Sequence, residues 1–292
     1  MTSVRVALIG FGEVGQTLAA DLTRAGVDQI SAWDVLFANP ASISSKGLAG
    51  TRVQAAADAA SAVRDAQLVI SAVTAEQDAN AARSVAGGLR PGMFYLDLNS
   101  VSPEMKREVA GLVDATGARY VEGAVMSPIG PKRIASPILL GGAHAEDFLK
   151  LAGPLGFTGA SVFAREVGRA SAAKMCRSVM VKGMEALLTE SLLAARRHGV
   201  EETVLASLKD LFPAADWRKL AQYMISRSLL HGKRRAEEMR EVAQTVANAG
   251  LTPHMSAACA ERQEWAAQFR EGAEAETLEQ MLDFVLGRGP SS

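Results

Sequence analysis

The sequence predicts an α/β protein, a doubly wound parallel sheet followed by an all-helical domain, and three observations carry that prediction. Short β-branched and aliphatic runs alternate with helical patterns from Val4 to Phe163. A glycine motif occupies the first strand-to-helix turn, Gly10 to Gly15. Beyond Gly199 the strand patterns stop and only helical ones remain. Alternation of strand and helix implies a parallel sheet with right-handed crossovers, and the change of pattern marks a second domain.

Val4 to Ile9 is dense in β-branched and aliphatic residues, and Gly10-Phe11-Gly12-Glu13-Val14-Gly15 follows it directly. A helical pattern then runs to Arg24 and stops at Gly26, and the next apolar run, Asp28 to Trp33, ends at Asp34, 19 residues beyond Gly15. A glycine triplet alone is a weak signal. Here it follows a strand, opens a helix and precedes an acidic residue by the spacing of about 20 that marks a Rossmann dinucleotide site. Gly10 permits the tight turn, Gly12 lets a pyrophosphate approach the backbone, and Gly15 allows the helix to pack close to the strand. The free N–H groups of the helix start then bind the phosphates. Phe11, Glu13 and Val14 complete this cofactor loop. Asp34 suits the hydroxyls of an adenosine ribose, which favours NAD; NADP stays open, with Lys46 or Arg52 serving a 2′-phosphate.

The alternation continues through a short run near Thr51 to Gln54, a helix over 58–64, a strand over 67–73, a helix over 76–87 and a strand over 93–98. A helix begun by Pro103, a strand over 119–125, an apolar run over 138–140, a helix over 145–152 and an extended run over 160–163 complete the first domain. Ligands of such sheets lie off the carboxyl ends of the strands. Val73-Thr74 ends one strand where the backbone passes the nicotinamide-side ribose. Asn99 and Ser100 end another and are candidates to hold a substrate, although Asn99, Ser100 and Ser102 are also suited to capping the helix at Pro103.

Glu166 to Gly199 is rich in helix formers and free of proline, which predicts one long helix. Ala, Met, Val and Leu surround it, as in a helix buried on most sides. One polar stripe interrupts them: Lys174, Ser178, Lys182, Glu185 and Thr189 fall within an arc of about 80°. Either Lys174 is an acid/base at the mouth of a ligand cleft, or the stripe is a solvated groove with spaced ion pairs such as Lys182 with Glu185. Further helices are expected over 201–211, 214–230, 234–249, 253–271 and 274–286. The run HGKRRAEEMRE from His231 reads as a solvated face with pairs such as Arg234 to Glu238. Its alternative is Lys233, Arg234 or Arg235 reaching an anionic ligand. The expected domains are 1–164, which binds the dinucleotide, and 165–292, a helical substrate and dimerisation domain.

The 31 basic and 32 acidic residues give a net charge of −1, without the basic footprint of a nucleic-acid or anionic-membrane partner. Two distant cysteines, Cys176 and Cys259, and four scattered histidines suggest neither a disulfide framework nor a metal site. No apolar run approaches the roughly 18 residues of a membrane span. A reduced, cytoplasmic protein with a small-molecule substrate is expected.

The pattern resembles the β-hydroxyacid dehydrogenases, which include 6-phosphogluconate and 3-hydroxyisobutyrate dehydrogenases. GFGEVG is similar to the family's nucleotide fingerprint, and DLNSVSP at Asp97 to Pro103 to its Asp-x-Ser-Thr-x-x-Pro loop. Gly168-x-Ala170-x-x-x-Lys174 is similar to its Gly-x-Gly-x-x-x-Lys motif, so the resemblance carries the catalytic lysine onto Lys174. KMCRSVMVKGMEAL and HGKRRAEEM resemble a bacterial 6-phosphogluconate-dehydrogenase-like subgroup with a helical C-terminal domain of unknown function. Where the family has Asn-Asn, this chain has Arg177-Ser178, and where it has Ser-Gly-Gly, this chain has Met126-Ser127-Pro128.

The resemblance implies hydride transfer between nicotinamide and a small hydroxy acid or related alcohol, with Lys174 as general acid/base and Ser178 assisting it. Asn99, Ser100 and Ser127 are the expected substrate-binding residues. Burial and the cations Arg177 and Lys182 would bring Lys174 toward the range of about 7 to 8 that suits a general base. The alternatives are an imine or ketone reductase on the same scaffold and a non-catalytic dinucleotide sensor. A homodimer through the long helix is also expected.

Overall fold

The computed structural model describes residues 4–210 and 213–287. It divides into two compact units, Met1–Met175 and Cys176–Ser292. The division lies inside the long helix, whereas the sequence places it ahead of that helix, between 164 and 165.

The first unit is an eight-stranded sheet. Its strands are β1 (Val6–Ile9), β2 (Ile30–Trp33), β3 (Gln54–Ala55), β4 (Leu68–Ser71), β5 (Phe94–Asp97), β6 (Arg119–Val125), β7 (Ile138–Gly141) and β8 (Ala160–Ala164). The helices between them are α1 (Glu13–Arg24), α2 (Ile43–Lys46), α3 (Ala59–Val63), α4 (Asp78–Val85), α5 (Pro103–Asp114), α6 (Ile129–Lys132) and α7 (Ala145–Ala152). The strand order is β3-β2-β1-β4-β5-β6-β7-β8, with the reversal of winding between β1 and β4. Successive residues of β1 point to opposite faces. Val6 and Leu8 join one core with Leu18, Leu22 and Phe148, and Ala7 and Ile9 join the other with Val85, Val109 and Tyr120. Both faces are covered, so the strands are apolar throughout instead of alternating.

One pairing departs from the expected parallel sheet: β6 and β7 run antiparallel. The segment between them holds only the four residues of α6 and a short 3₁₀ turn. It supplies no helix long enough to carry the chain back across a face, so the strand returns along the edge.

The second unit is helical. α8 (Arg169–His198) begins in the first unit, and α9 (Glu201–Ser207), α10 (Trp217–Asn248), α11 (His254–Ala266) and α12 (Leu278–Val285) follow. The expected end of the α9 segment, Leu211, lies outside the described residues. Leu192, Leu205, Trp217, Ile225, Met281 and Leu282 form the core. Arg196 ties α8 to α12 through two bonds to Asp283, of 2.9 and 2.6 Å.

The break expected between 230 and 234 is absent, and α10 is continuous. Gly232 is a packing glycine, since a Cβ there would stand 2.3 Å from the Gln263 carbonyl oxygen. The polar stripe also differs from expectation. Ser178, Lys182, Glu185 and Thr189 are buried. Lys182 pairs with Glu238 and Glu185 with Arg235, in place of Lys182 with Glu185. The HGKRRAEEM run is therefore only partly a solvated face: Arg234 is exposed, while Arg235 and Glu238 turn inward to α8. Among the described residues, no helix is long and apolar enough to cross a membrane.

Candidate active site

The parallel register aligns Ile9 with Trp33 and with Ser71, and Ser71 with Asp97. The loops after β1, β2, β4 and β5 therefore emerge from one edge of the sheet. Gly10 has φ of 92°, and a Cβ there would lie 2.3 Å from the Ala72 carbonyl oxygen. Gly15 is equally constrained, its Cβ position lying 2.2 Å from the Gly10 oxygen. Gly12 meets nothing within 4 Å. It is also the N-cap of α1 and has no side-chain capping bond, so the first N–H groups have no intrahelical partner and the positive end of the dipole faces open space. That is a cradle for a dinucleotide pyrophosphate. Glu13 is exposed beside it, while Val14 packs on the core.

Phe11 belongs to the scaffold instead. Its ring is buried, edge-on to Phe37 at 5.9 Å. Its N–H donates to Asp34 Oδ2 at 2.7 Å and its carbonyl accepts from Gln16 at 2.8 Å, so both backbone groups of Phe11 have partners within the fold. Asp34 has a second task beyond the expected ribose contact. It also accepts the Ser44 hydroxyl at 3.0 Å and the Leu36 N–H at 2.8 Å, which locks the glycine turn to the chain after β2. The lone pairs that remain on the carboxylate suit ribose hydroxyls.

Beyond β5, Lys174 Nζ donates to Ser100 Oγ at 2.5 Å. Both side chains are half-buried. The lysine is placed from the sheet itself. Glu122 of β6, fully buried, accepts the Gly168 N–H at 2.7 Å and the Ser171 N–H at 2.6 Å. It thereby caps the start of α8 one turn before Lys174. Gly141 on the neighbouring strand makes room, because a Cβ there would lie 2.4 Å from Glu122 Oε2. Thr74, exposed after β4, begins a 3₁₀ turn without a side-chain capping bond.

Residues 5–168 match the family described as the NAD binding domain of 6-phosphogluconate dehydrogenase. The chain belongs to that family. Residues 195–266 match a domain of unknown function, DUF1932. A conserved hypothetical protein from Sinorhizobium meliloti 1021 is 33% identical and superposes with a TM-score of 0.74, covering 99% of this chain and 97% of its own. A conserved protein of unknown function, reported as structurally similar to 3-hydroxyacid dehydrogenases, is also 33% identical, with a TM-score of 0.68 over 91% of this chain and 98% of its own. The mitochondrial 3-hydroxyisobutyrate dehydrogenase of Drosophila melanogaster is 24% identical over 70% of this chain and 62% of its own length. Membership of this NAD-binding family makes a nicotinamide dinucleotide the cofactor class.

Two expected site residues, Asn99 and Ser178, are placed differently from expectation within this 6-phosphogluconate-dehydrogenase-type scaffold. Asn99 is a buried brace: its Oδ1 accepts the Val73 N–H at 2.6 Å, and its Nδ2 donates to Ser71 Oγ at 2.9 Å and Asp78 Oδ1 at 2.7 Å. Both amide donors are used inside the fold, so Asn99 holds the β4 and β5 loops together instead of holding a substrate. Ser178 is buried and accepts from Lys182 Nζ at 3.5 Å. The same lysine is ion-paired with Glu238, so Lys182 is a neutralised neighbour rather than a free cation. Ser127, half-buried after β6, donates to the Pro128 carbonyl at 3.3 Å. Ser102 caps α5, accepting the Met105 N–H at 3.4 Å.

The sequence reading missed the charged core beneath these loops. Asp97 and Lys106 are both fully buried and lie 2.7 Å apart. Asp97 also accepts the Tyr120 hydroxyl at 2.8 Å and the Asn99 N–H at 2.9 Å, and Lys106 donates to the Asp97 carbonyl at 3.1 Å. Asp78, fully buried as well, is pushed up to about 8 by its burial, with the Asp97 charge adding to the effect. A signal for Lys106 was present. It stands three residues from Pro103 and Val109, both buried, so it holds a core position on an amphipathic helix.

Proposed function

We propose that this protein is an NAD(P)-dependent oxidoreductase that interconverts a small hydroxy acid, or a related alcohol, with its carbonyl form, using Lys174 as general acid/base. The observation that carries the reading is the 2.5 Å contact of Lys174 Nζ with Ser100 Oγ beyond β5, on the sheet edge that also bears the glycine cradle. The bound nicotinamide supplies the hydride acceptor or donor. In oxidation Lys174 Nζ takes the proton from the substrate hydroxyl, and in reduction it returns that proton to the carbonyl oxygen. Ser100 orients Lys174 and the substrate oxygen through its hydroxyl. Ser127 is the candidate for the substrate carboxylate, and Asp34 favours NAD over NADP by accepting ribose hydroxyls.

The cytoplasm is the proposed compartment and a homodimer the proposed assembly. The dimer is supported by a stripe on α8 where Met180 and Leu187 remain 66% and 57% exposed. Single large apolar groups need no explanation, but two on one helix face suit a partner helix. Light scattering that finds a monomer at micromolar concentration would count against it.

The decisive experiment is Lys174→Met. Turnover of hydroxy acids with NAD or NADP falls by a factor on the order of 10² to 10⁴, while calorimetric affinity for the dinucleotide stays unchanged. A variant that retains turnover overturns the role of Lys174, and a wild-type protein that binds NAD(H) but turns over no alcohol or acid favours a sensor.

A further inference from the structure

Within the helical unit, α10 places Arg227, His231 and Arg235 four residues apart, so they share one flank of the helix. Each keeps a buried nitrogen without a hydrogen-bond partner: Arg227 Nε, His231 Nε2 and Arg235 Nε. Ser228 Oγ beside them is in the same condition. Arg235 is itself only 9% exposed. Three adjacent side chains with unsatisfied buried nitrogens are unusual, because each such group carries a desolvation cost.

The surrounding charges do not relieve it. Glu185, from α8, is engaged by Arg235 at 2.6 Å and by Gln263 of α11 at 3.3 Å. Glu238 is engaged by Lys182, with Arg234 at 4.0 Å. Among the described residues Arg227 and Arg270 have no ion pair within 4 Å, although the Arg227 charge is felt by Glu185. Burial, with the cations Arg227, Arg234, Arg235 and Arg270 adding to it, pushes the His231 imidazole down to about 4. Positive charge and unsatisfied nitrogens thus converge on one flank, and an oxyanion is the group that answers both. Its oxygens accept several N–H bonds at once, and guanidinium groups match carboxylate and phosphate geometry.

We propose that the Arg227–His231–Arg235 flank of α10 is an oxyanion-binding site that holds the carboxylate or phosphate group of a small-molecule ligand. The site is built from the helical unit alone and does not depend on the role of Lys174.

The test is calorimetric titration of the full-length protein at low salt with inorganic phosphate and, separately, malonate, using wild type, Arg227→Gln and His231→Gln. Arg227 makes no ion pair, so its replacement leaves the fold in place, which circular dichroism checks. At least one anion binds the wild type, and Arg227→Gln weakens it about tenfold or more. Binding also raises the His231 imidazole pKa, read by NMR, by about one unit or more. Phosphate binding alone assigns a phosphorylated ligand; malonate alone assigns a carboxylate. NAD(H) affinity is the same in all three proteins, which separates this site from the glycine cradle. The proposal is overturned if neither anion binds, or if both variants bind as the wild type does. It is equally overturned if Arg227→Gln changes the oligomeric state without changing anion affinity, which would give the flank to a second copy's carboxylates.

Discussion

The two units both pair buried charges, but they differ in where nitrogen donors are left over. Under the sheet edge the central charges are densely partnered: Asp97 has Lys106, Tyr120 and a backbone N–H, and Glu122 has two backbone N–H groups, while Asp78 keeps one oxygen without a hydrogen bond. On the α10 flank, Arg227, His231 and Arg235 each hold a buried nitrogen without a hydrogen-bond partner among the described residues, even though Arg235 is paired with Glu185 through its other end. A densely partnered network gives rigidity. An incomplete one is costly until something binds. The first arrangement positions the Lys174 and glycine loops; the second is fitted to receive a ligand.

The sharpest way to break the contrast is Lys106→Met. It leaves Asp97 charged, buried and without its cation, and lowers stability by about 3–5 kcal/mol, measured as a lower urea midpoint. The double variant Asp97→Asn/Lys106→Met recovers most of that loss, because no unpaired charge remains. Glu122→Gln comes next. Its amide presents one acceptor to two N–H donors, so one donor is orphaned at about 1–3 kcal/mol. Turnover falls with stability, since the start of α8 loosens one turn before Lys174.

Asp78→Asn has a smaller effect of opposite sign at alkaline pH. In the folded protein Asp78 holds its proton to about 8, whereas the unfolded chain releases it near about 4. The stability that this proton contributes is complete below about 4 and lost as pH rises to about 8. Asparagine does not titrate, so the variant gains on the wild type across that window, by a few degrees of Tm at pH 8 and by nothing near pH 4. Arg227→Gln is the smallest perturbation in the absence of ligand: no ion pair is lost and one buried Nε without a partner is removed, so thermal unfolding shows no loss of stability.

Much of the first unit was legible in the residues. Strand runs, the glycine spacing and the helix opened by Pro103 are local patterns, and each appears near its expected place. Gly10 and Gly15 could be read because their constraints come from immediate neighbours in the turn. Lys174 was found by its place in a motif and a helical stripe, yet its contact with Ser100 joins residues 74 positions apart. Asn99 misled because a polar residue after a strand looks the same whether it faces a ligand or braces two loops. Gly232 misled because a glycine that ends a helix and one that admits a neighbouring helix are identical in sequence.

The chain by itself determined its element types, the dinucleotide cradle and the lysine of the candidate site. Periodicity, glycine placement and capping act over a few residues and need no knowledge of distant ones. Only the tertiary structure decided that β7 turns antiparallel, that Glu122 caps α8, that Asp97 meets Lys106 under the loops, and that one nitrogen each of Arg227, His231 and Arg235 is buried without a partner among the described residues. Those outcomes depend on which polar groups lose water together. Burial and partnership are properties of the packed chain, and no short stretch of sequence carries them.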